Sequence, residues 1–393
     1  MRTGRRAARG KYAARDRRRA RRARLRACRR CTGRGGRPVK LAAPGKAFLA
    51  GEYAVLEPGG AALLVGVDRF LNASLRPLAA KKIEIVHRPS GSFVAGELTP
   101  DGIRWAGGIA DEVRFAARAA GVATRLCAAE DRPQRGFALL YENDFALDGE
   151  KIGLGGSAAA SVLAVRAACA AQERPVAGEE IAALAAAAHF DEQGARGSGA
   201  DVAACALGGL LEVTVQRPLR IGEDPREVLR APPFSVRRLP LAPDLRLLLA
   251  YTGAPADSRA LVGEVLEFAR GNPSRYRARC GAISAARDAL RDALEAAARS
   301  GSQEPREAAL DAVRRAAAAM GALGDEAKVA IVTPELSRAC AIAASAGAAA
   351  KPSGAGGGDC AIVLAFDDGV LERAARDLQA AGFSPLRIAP ALP

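Results

Sequence analysis

Four short segments of this sequence carry residue types whose spacing suits the handling of phosphate. The densest is Gly153-Leu154-Gly155-Gly156-Ser157-Ala158, set between a strand-like run and an alanine-rich helical run. Glycine lets the backbone turn tightly and approach a ligand with no Cβ in the way. The free N–H groups of the helix start, at the positive end of its dipole, then make a cradle for an anion. Ser157 falls near that start, where its hydroxyl can cap the helix or ligate Mg²⁺. The G-x4-G-K-[ST] string is absent, and Ala158 stands where a G-x-G-x-x-G motif needs its third glycine. An ordinary strand-to-helix turn is the plainer reading of the loop taken alone.

The other three segments are less dense. Lys351-Pro352-Ser353-Gly354-Ala355-Gly356-Gly357-Gly358-Asp359-Cys360 has more glycine than a turn needs, and Lys351 reads as a mobile positive charge beside it. Lys46 follows Gly45 inside an apolar strand, where an ammonium is costly unless paired; a snorkelling edge lysine is the alternative. In Gly197-Ser198-Gly199-Ala200-Asp201, the aspartate sits between a glycine turn and an apolar helix. It either caps that helix or faces Lys46 across a dry cleft, where such a pair keeps both charged and can steer a proton. With two histidines in the chain, metal chemistry based on histidine is not expected, and His189 reads as a packed or surface residue.

The elements that must position these groups are legible from the apolar pattern. A length of 393 residues suits two domains, and with aromatics at 4% the cores must be built from Ala, Leu and Val. Strands are predicted over 46–56, 61–68, 83–86, 137–142 and 208–215, with helices over 158–171 and 178–189. After a proline-rich connection come a strand at 245–251, helices at about 258–270, 278–299, 305–322 and 335–347, a glycine loop, a strand at 360–366, a helix at about 369–381 and a last strand near 385–388. Strands and helices alternate without regular βαβ repetition, which indicates an α+β class. The domains are expected at 39–217 and 218–393.

The net charge of +15 belongs to the start of the chain: residues 1–38 hold 17 of the 58 Lys and Arg but one of the 43 acids, leaving 41 bases against 42 acids beyond them. A segment of that composition reads as a disordered tail. A start site placed too early, with Val39 as the first residue, a tail without function and a nucleic-acid-binding tail remain open. Its Cys28-Arg-Arg-Cys31 lacks the second ligand pair a zinc site needs. The eight cysteines read as reduced, buried thiols of a cytoplasmic protein. No run approaches 18 apolar residues, so no membrane partner is expected, and no nucleic acid for the body of the chain.

Taken together and in order, the segments resemble the GHMP kinases, a superfamily that includes galactokinase, homoserine kinase and mevalonate kinase. The resemblance runs from about 40 to 390. APGKAFLAGEYAVLEPGGAALLVGVDRF, with Tyr53 where several relatives place His, AKPSGAGGGDC, and Tyr251-Thr252-Gly253-Ala254-Pro255-Ala256 are similar to the phosphomevalonate kinase family; Gly156, where many relatives have Ser, departs from it. The resemblance implies a two-domain GHMP-kinase architecture, with a ribosomal-protein-like N-terminal domain and a ferredoxin-like C-terminal domain. It implies ATP and Mg²⁺ as cofactors, phosphomevalonate as substrate and diphosphomevalonate as product, on the mevalonate route to isoprenoids. It places the ATP phosphates on Gly153, Leu154, Gly155, Gly156, Ser157 and Ala158, with Ser157 also toward the metal. Lys46 and Asp201 become the catalytic pair, Lys46 holding Asp201, and Lys351, Ser353, Gly354, Gly356 and Ser198 the substrate-binding residues. Lys151, Arg69 and Arg196 are further cations for an anionic acceptor, and Asp191 and Glu192 further acids for the metal. Another kinase of the superfamily, mevalonate kinase first, and a non-catalytic nucleotide-binding protein are the alternatives.

Overall fold

The computed structural model describes residues 38–78, 81–143, 145–147 and 150–391. The basic tail, Pro38 apart, and the pair Cys28 and Cys31 lie outside them.

The strands of the first half are β1 (Val39–Ala50), β2 (Ala61–Pro77), β3 (Lys82–His87), β4 (Ser92–Thr99), β5 (Gly102–Trp105), β6 (Phe137–Tyr141), a two-residue pair β7 (Ala146–Leu147) and β8 (Glu150–Lys151), β9 (Leu210–Val215) and β10 (Phe234–Arg238). Eight of them form one sheet in the order β10-β9-β2-β6-β3-β4-β5, with β1 antiparallel to β2. Four helices pack beside it: α1 (Asp111–Ala129), α2 (Gly156–Ala171), α3 (Gly178–Glu192) and α4 (Ala200–Leu207), of which α1, α2 and α4 lie on the sheet and α3 lies on the other three. Alanine carries this packing. In α2 and α3 ten of 16 and nine of 15 positions are buried, including the unbroken run 181–189, as expected of helices that are apolar on most sides, and small side chains let them nest against one another.

The second half adds α5 (Pro225–Arg230) on the connection, β11 (Arg246–Tyr251), α6 (Ser258–Gly271), α7 (Pro273–Arg299), α8 (Glu304–Ala327), α9 (Pro334–Ser345), β12 (Ala349–Pro352), β13 (Cys360–Ala365), α10 (Asp368–Ala380) and β14 (Ser384–Ile388). Its four strands run antiparallel in the order β12-β13-β11-β14. That order is the ferredoxin-like arrangement, with α6, α7 and α8 inserted after the first strand. Every residue of the central β13 is buried, which is why Cys-Ala-Ile-Val-Leu-Ala reads as an unbroken apolar run rather than an alternating one.

Three features depart from the sequence reading. The first sheet does not end at β9: Phe234–Arg238 pairs antiparallel with it, so a division at 217/218 falls ahead of the strand that completes the sheet. We place the division in the connection at 239–245 instead. The helix α1 was not anticipated, because its Arg and Ala content masks the apolar face at Val113, Ala116, Ala120 and Leu126. Finally, the end of the chain returns to the first sheet. Pro390 bridges to Val67, Gly209 N–H donates to Ala391 O at 2.7 Å, and Ala391 N–H donates to Gly66 O at 2.7 Å. No helix among the described residues is long and apolar enough to cross a membrane.

Candidate active site

Strand β1 delivers Lys46 to the glycine loop ahead of α2. The Lys46 N–H donates to Leu154 O at 2.9 Å, and its ammonium donates to Gly153 O at 2.7 Å. The side chain is 9% exposed, so the sequence reading of a costly, partnered lysine holds, although its partner is a carbonyl. Gly155 caps α2 in the left-handed region at φ 81°, and a Cβ there would stand 3.0 Å from Lys46 Cγ; the turn and the lysine exclude any side chain. Leu154 is buried and meets its neighbours through its carbonyl. Gly156, Ser157 and Ala158 open α2, which has no side-chain cap, and their N–H groups have no acceptor in the preceding turn. A Cβ at Gly156 would meet only Phe145, at 3.9 Å, so the glycine in place of Ser is a departure the fold does not require.

Asp201 is the second residue of α4, not its cap; Gly199 takes the cap position at φ 75°. One Asp201 oxygen accepts from Val202 N–H at 2.9 Å. Lys46 and Asp201 line the same cleft, together with Glu52, Tyr53, Ser198, Gly354, Arg196 and Arg259. The expected Lys46–Asp201 ion pair is not formed: the lysine's hydrogen bond goes to Gly153.

The third segment requires the main correction. Lys351 is not mobile. It lies in β12 with no exposed surface, paired with the buried Glu52 and donating to Pro352 O. A buried acid and a buried base this far apart in sequence answer each other's desolvation. The loop that follows is knitted onto the first segment rather than left free. Ser353 Oγ accepts from Phe48 N–H at 3.0 Å, and the Tyr53 hydroxyl donates to Ala355 O at 2.5 Å. Gly356 sits at φ 79°, where a Cβ would come within 2.0 Å of Ile331 O. Of the residues expected to bind substrate, Ser198 and Gly354 line the cleft, while Lys351, Ser353 and Gly356 are engaged with Glu52, Phe48 and Ile331. Tyr53 itself holds φ 63° and ψ −49°, a strained backbone for a side chain, and burial beside Glu52 pushes its phenol well above the usual range.

Other expected ligands are engaged elsewhere. Asp191 accepts from Gly222 N–H, Glu192 pairs with Arg114 and Arg118, and Arg69 pairs with Asp68 and donates to Arg387 O. Conversely, four groups at the site were missed: Arg259, Asp359, Glu52 and the contact that His189 makes. Arg259 reaches the cleft from α6, and its carbonyl accepts from Arg196 at 3.3 Å. The Asp359 side chain abuts Gly153, where a Cβ would be 2.8 Å from its Oδ2. Burial raises this carboxyl above its usual range, against the opposing pull of Lys46. His189 is packed, as expected, but its Nε2 lies 3.0 Å from Ser157 Oγ, and burial holds the imidazole below its ordinary pKa. The signal available for Glu52 was the one applied to Lys46, a charge inside an apolar run.

A lysine on a glycine loop at a helix start, facing an aspartate between two sheets of this topology, defines a small-molecule kinase site. Family models agree: residues 116–209 match the GHMP kinases N terminal domain and residues 306–383 the GHMP kinases C terminal. The chain belongs to the GHMP kinase superfamily. It is 33% identical over 391 residues to the phosphomevalonate kinase of Streptomyces sp. (strain CL190), covering 91% of this chain and 98% of that one, and so falls within the phosphomevalonate kinase family. Among solved structures, the Lin0012 protein of Listeria innocua superposes with a TM-score of 0.78 at 23% identity, over 90% of this chain and 98% of that one. Streptococcus pneumoniae phosphomevalonate kinase in complex with phosphomevalonate and AMPPNP does so with a TM-score of 0.74 at 23% identity, over 90% and 100%.

Proposed function

We propose that the chain transfers the terminal phosphoryl group of ATP to phosphomevalonate, giving ADP and diphosphomevalonate, a step of the mevalonate route to isoprenoids. The observation that carries this reading is the cleft itself. Lys46, Arg196 and Arg259 line it beside Ser198 and Asp201, and an acceptor bearing both a carboxylate and a phosphate needs cations of this number. The identity to a phosphomevalonate kinase over nearly the whole chain supports the choice of acceptor. The same reading places the reaction in the cytoplasm, where the six described thiols stay reduced.

Phosphoryl transfer asks a protein for positioning and for neutralisation of negative charge. The N–H groups of Gly156, Ser157 and Ala158 would receive ATP phosphate oxygens. Lys46 uses one of its three donors on Gly153 and has two for the transferring group. The Ser157 hydroxyl, an oxygen donor at a helix start, fits a hard cation that keeps most of its ligands as water and phosphate. Mg²⁺ held there would neutralise charge shared between the phosphates.

The acceptor is a phosphate monoester whose second pKa is about 6, so its attacking oxygen is already anionic at neutral pH. A side-chain base would contribute about 10²–10⁴-fold. Asp201→Asn is therefore expected to cost about tenfold, well short of that range, because Asp201 orients the acceptor and balances the cations around it. Steady-state turnover of the folded variant checks this, and a loss beyond about 10²-fold would make Asp201 a base. The function as a whole is tested by coupled ADP release with phosphomevalonate and with mevalonate in parallel. Turnover confined to mevalonate would replace this reading by mevalonate kinase, and none with either would favour a nucleotide-binding protein.

A further inference from the structure

We propose that His189 is a positioning residue for the ATP-binding helix: its Nε2 accepts the Ser157 hydroxyl proton and thereby aims the lone pairs of Ser157 Oγ at the phosphates and their cation. The inference rests on the kinase reading above and assigns the nucleotide end of the site a group no motif contains.

A serine hydroxyl rotates, and its oxygen serves a cation or a phosphate-bound water well only when its proton points elsewhere. Few acceptors are available for that proton. Ser157 is the second residue of α2, and its own carbonyl is taken by Ser161 Oγ–H at 3.0 Å. His189 comes from a different helix, near the end of α3, and stands 3.0 Å from the hydroxyl oxygen. The ring is 3% exposed and lies 4.8 Å from the Phe115 ring at an interplanar angle of 34°. It is thus clamped by α1 on one side and presents a single nitrogen to Ser157. A neutral imidazole offers one acceptor nitrogen and one N–H, which suits a fixed proton acceptor behind a ligand. Partners of this kind behind a metal-directed group change metal affinity or activity by about 10–100-fold when lost.

The test is a double-mutant cycle read by calorimetric binding of AMPPNP with and without Mg²⁺. His189→Leu is expected to weaken Mg²⁺-dependent AMPPNP binding about tenfold, to raise the Mg²⁺ concentration needed for half-maximal binding, and to leave Mg²⁺-free binding nearly unchanged. In a Ser157→Ala background the same change is expected to add less than about twofold, because the proton it accepts is gone. His189→Gln, whose Oε1 can reach the hydroxyl, is expected to retain most of the affinity, and the shorter His189→Asn to lose it. The Gln and Asn pair carries the comparison if the Leu variant melts early. Equal losses in both serine backgrounds, or unaltered Mg²⁺-dependent binding in the Asn and Leu variants, would overturn the proposal. The titration involves no acceptor, so a wrong assignment of substrate leaves it readable.

Discussion

Lys46→Met is expected to lower turnover about 10²–10³-fold while the protein keeps its fold and still binds nucleotide. The magnitude is that of removing one preorganised donor from a site where charge develops. Methionine retains the apolar stem that packs over Gly155, but not the ammonium that stands over the Phe48 ring, 5.6 Å from its centroid. What disappears is the charge and the bond to Gly153 O. The loss should therefore appear in kcat far more than in the affinity for ATP, since on the proposed reading the glycine loop would bind phosphate through its N–H groups. Coupled ADP release beside a thermal melt separates the two effects. A variant with normal turnover would remove Lys46 from the chemistry and with it the reading of the cleft.

Lys351→Met acts on stability instead. It leaves the Glu52 carboxylate buried without its cation, and breaking a buried pair from one side costs about 3–5 kcal/mol. Glu52 is 3% exposed and its second oxygen already lacks a partner, so a long hydrogen bond from Gly354 N–H to the first oxygen, at 3.4 Å, is what remains to it. Adding Glu52→Leu should recover most of the loss, because the uncompensated charge is then gone. The midpoint of chemical denaturation for the single and double variants measures this. A single variant as stable as the parent would show that the pair with Glu52 does not hold this part of the fold together.

How far the site was legible in the sequence follows from what each group depends on. Lys46, Ser157 and Asp201 were singled out because each sits in a local pattern: a charge in an apolar run, a hydroxyl after glycines, an acid between a glycine turn and an apolar helix. The strands around them were legible for the same reason, since apolar runs such as Cys360–Ala365 have few alternatives. The misreadings concern relations between distant residues. Nothing local to Lys351 shows that Glu52 lies 299 positions earlier and against it, and a lysine beside glycines looks mobile. Nothing in an alanine-rich helix marks His189 as the neighbour of a serine 32 residues away. Asp359 and Arg259 enter the site through β13 and α6, whose approach to the first sheet is a product of packing rather than of pattern. The pairing of β10 with β9 was not legible because β10 follows a proline-rich connection that looks like a linker.

The return of Pro390 and Ala391 to Val67, Gly66 and Gly209 bears on how the molecule is made. The first sheet lacks these contacts until residues 390 and 391 have left the ribosome, so the N-terminal half does not hold its full set of backbone bonds while the second half is still being made. A fragment cut in the connection at 239–245 would expose those unpaired backbone groups, and a protease removing residues 390 and 391 would loosen β2 at Gly66, the residue paired with Lys46 of β1.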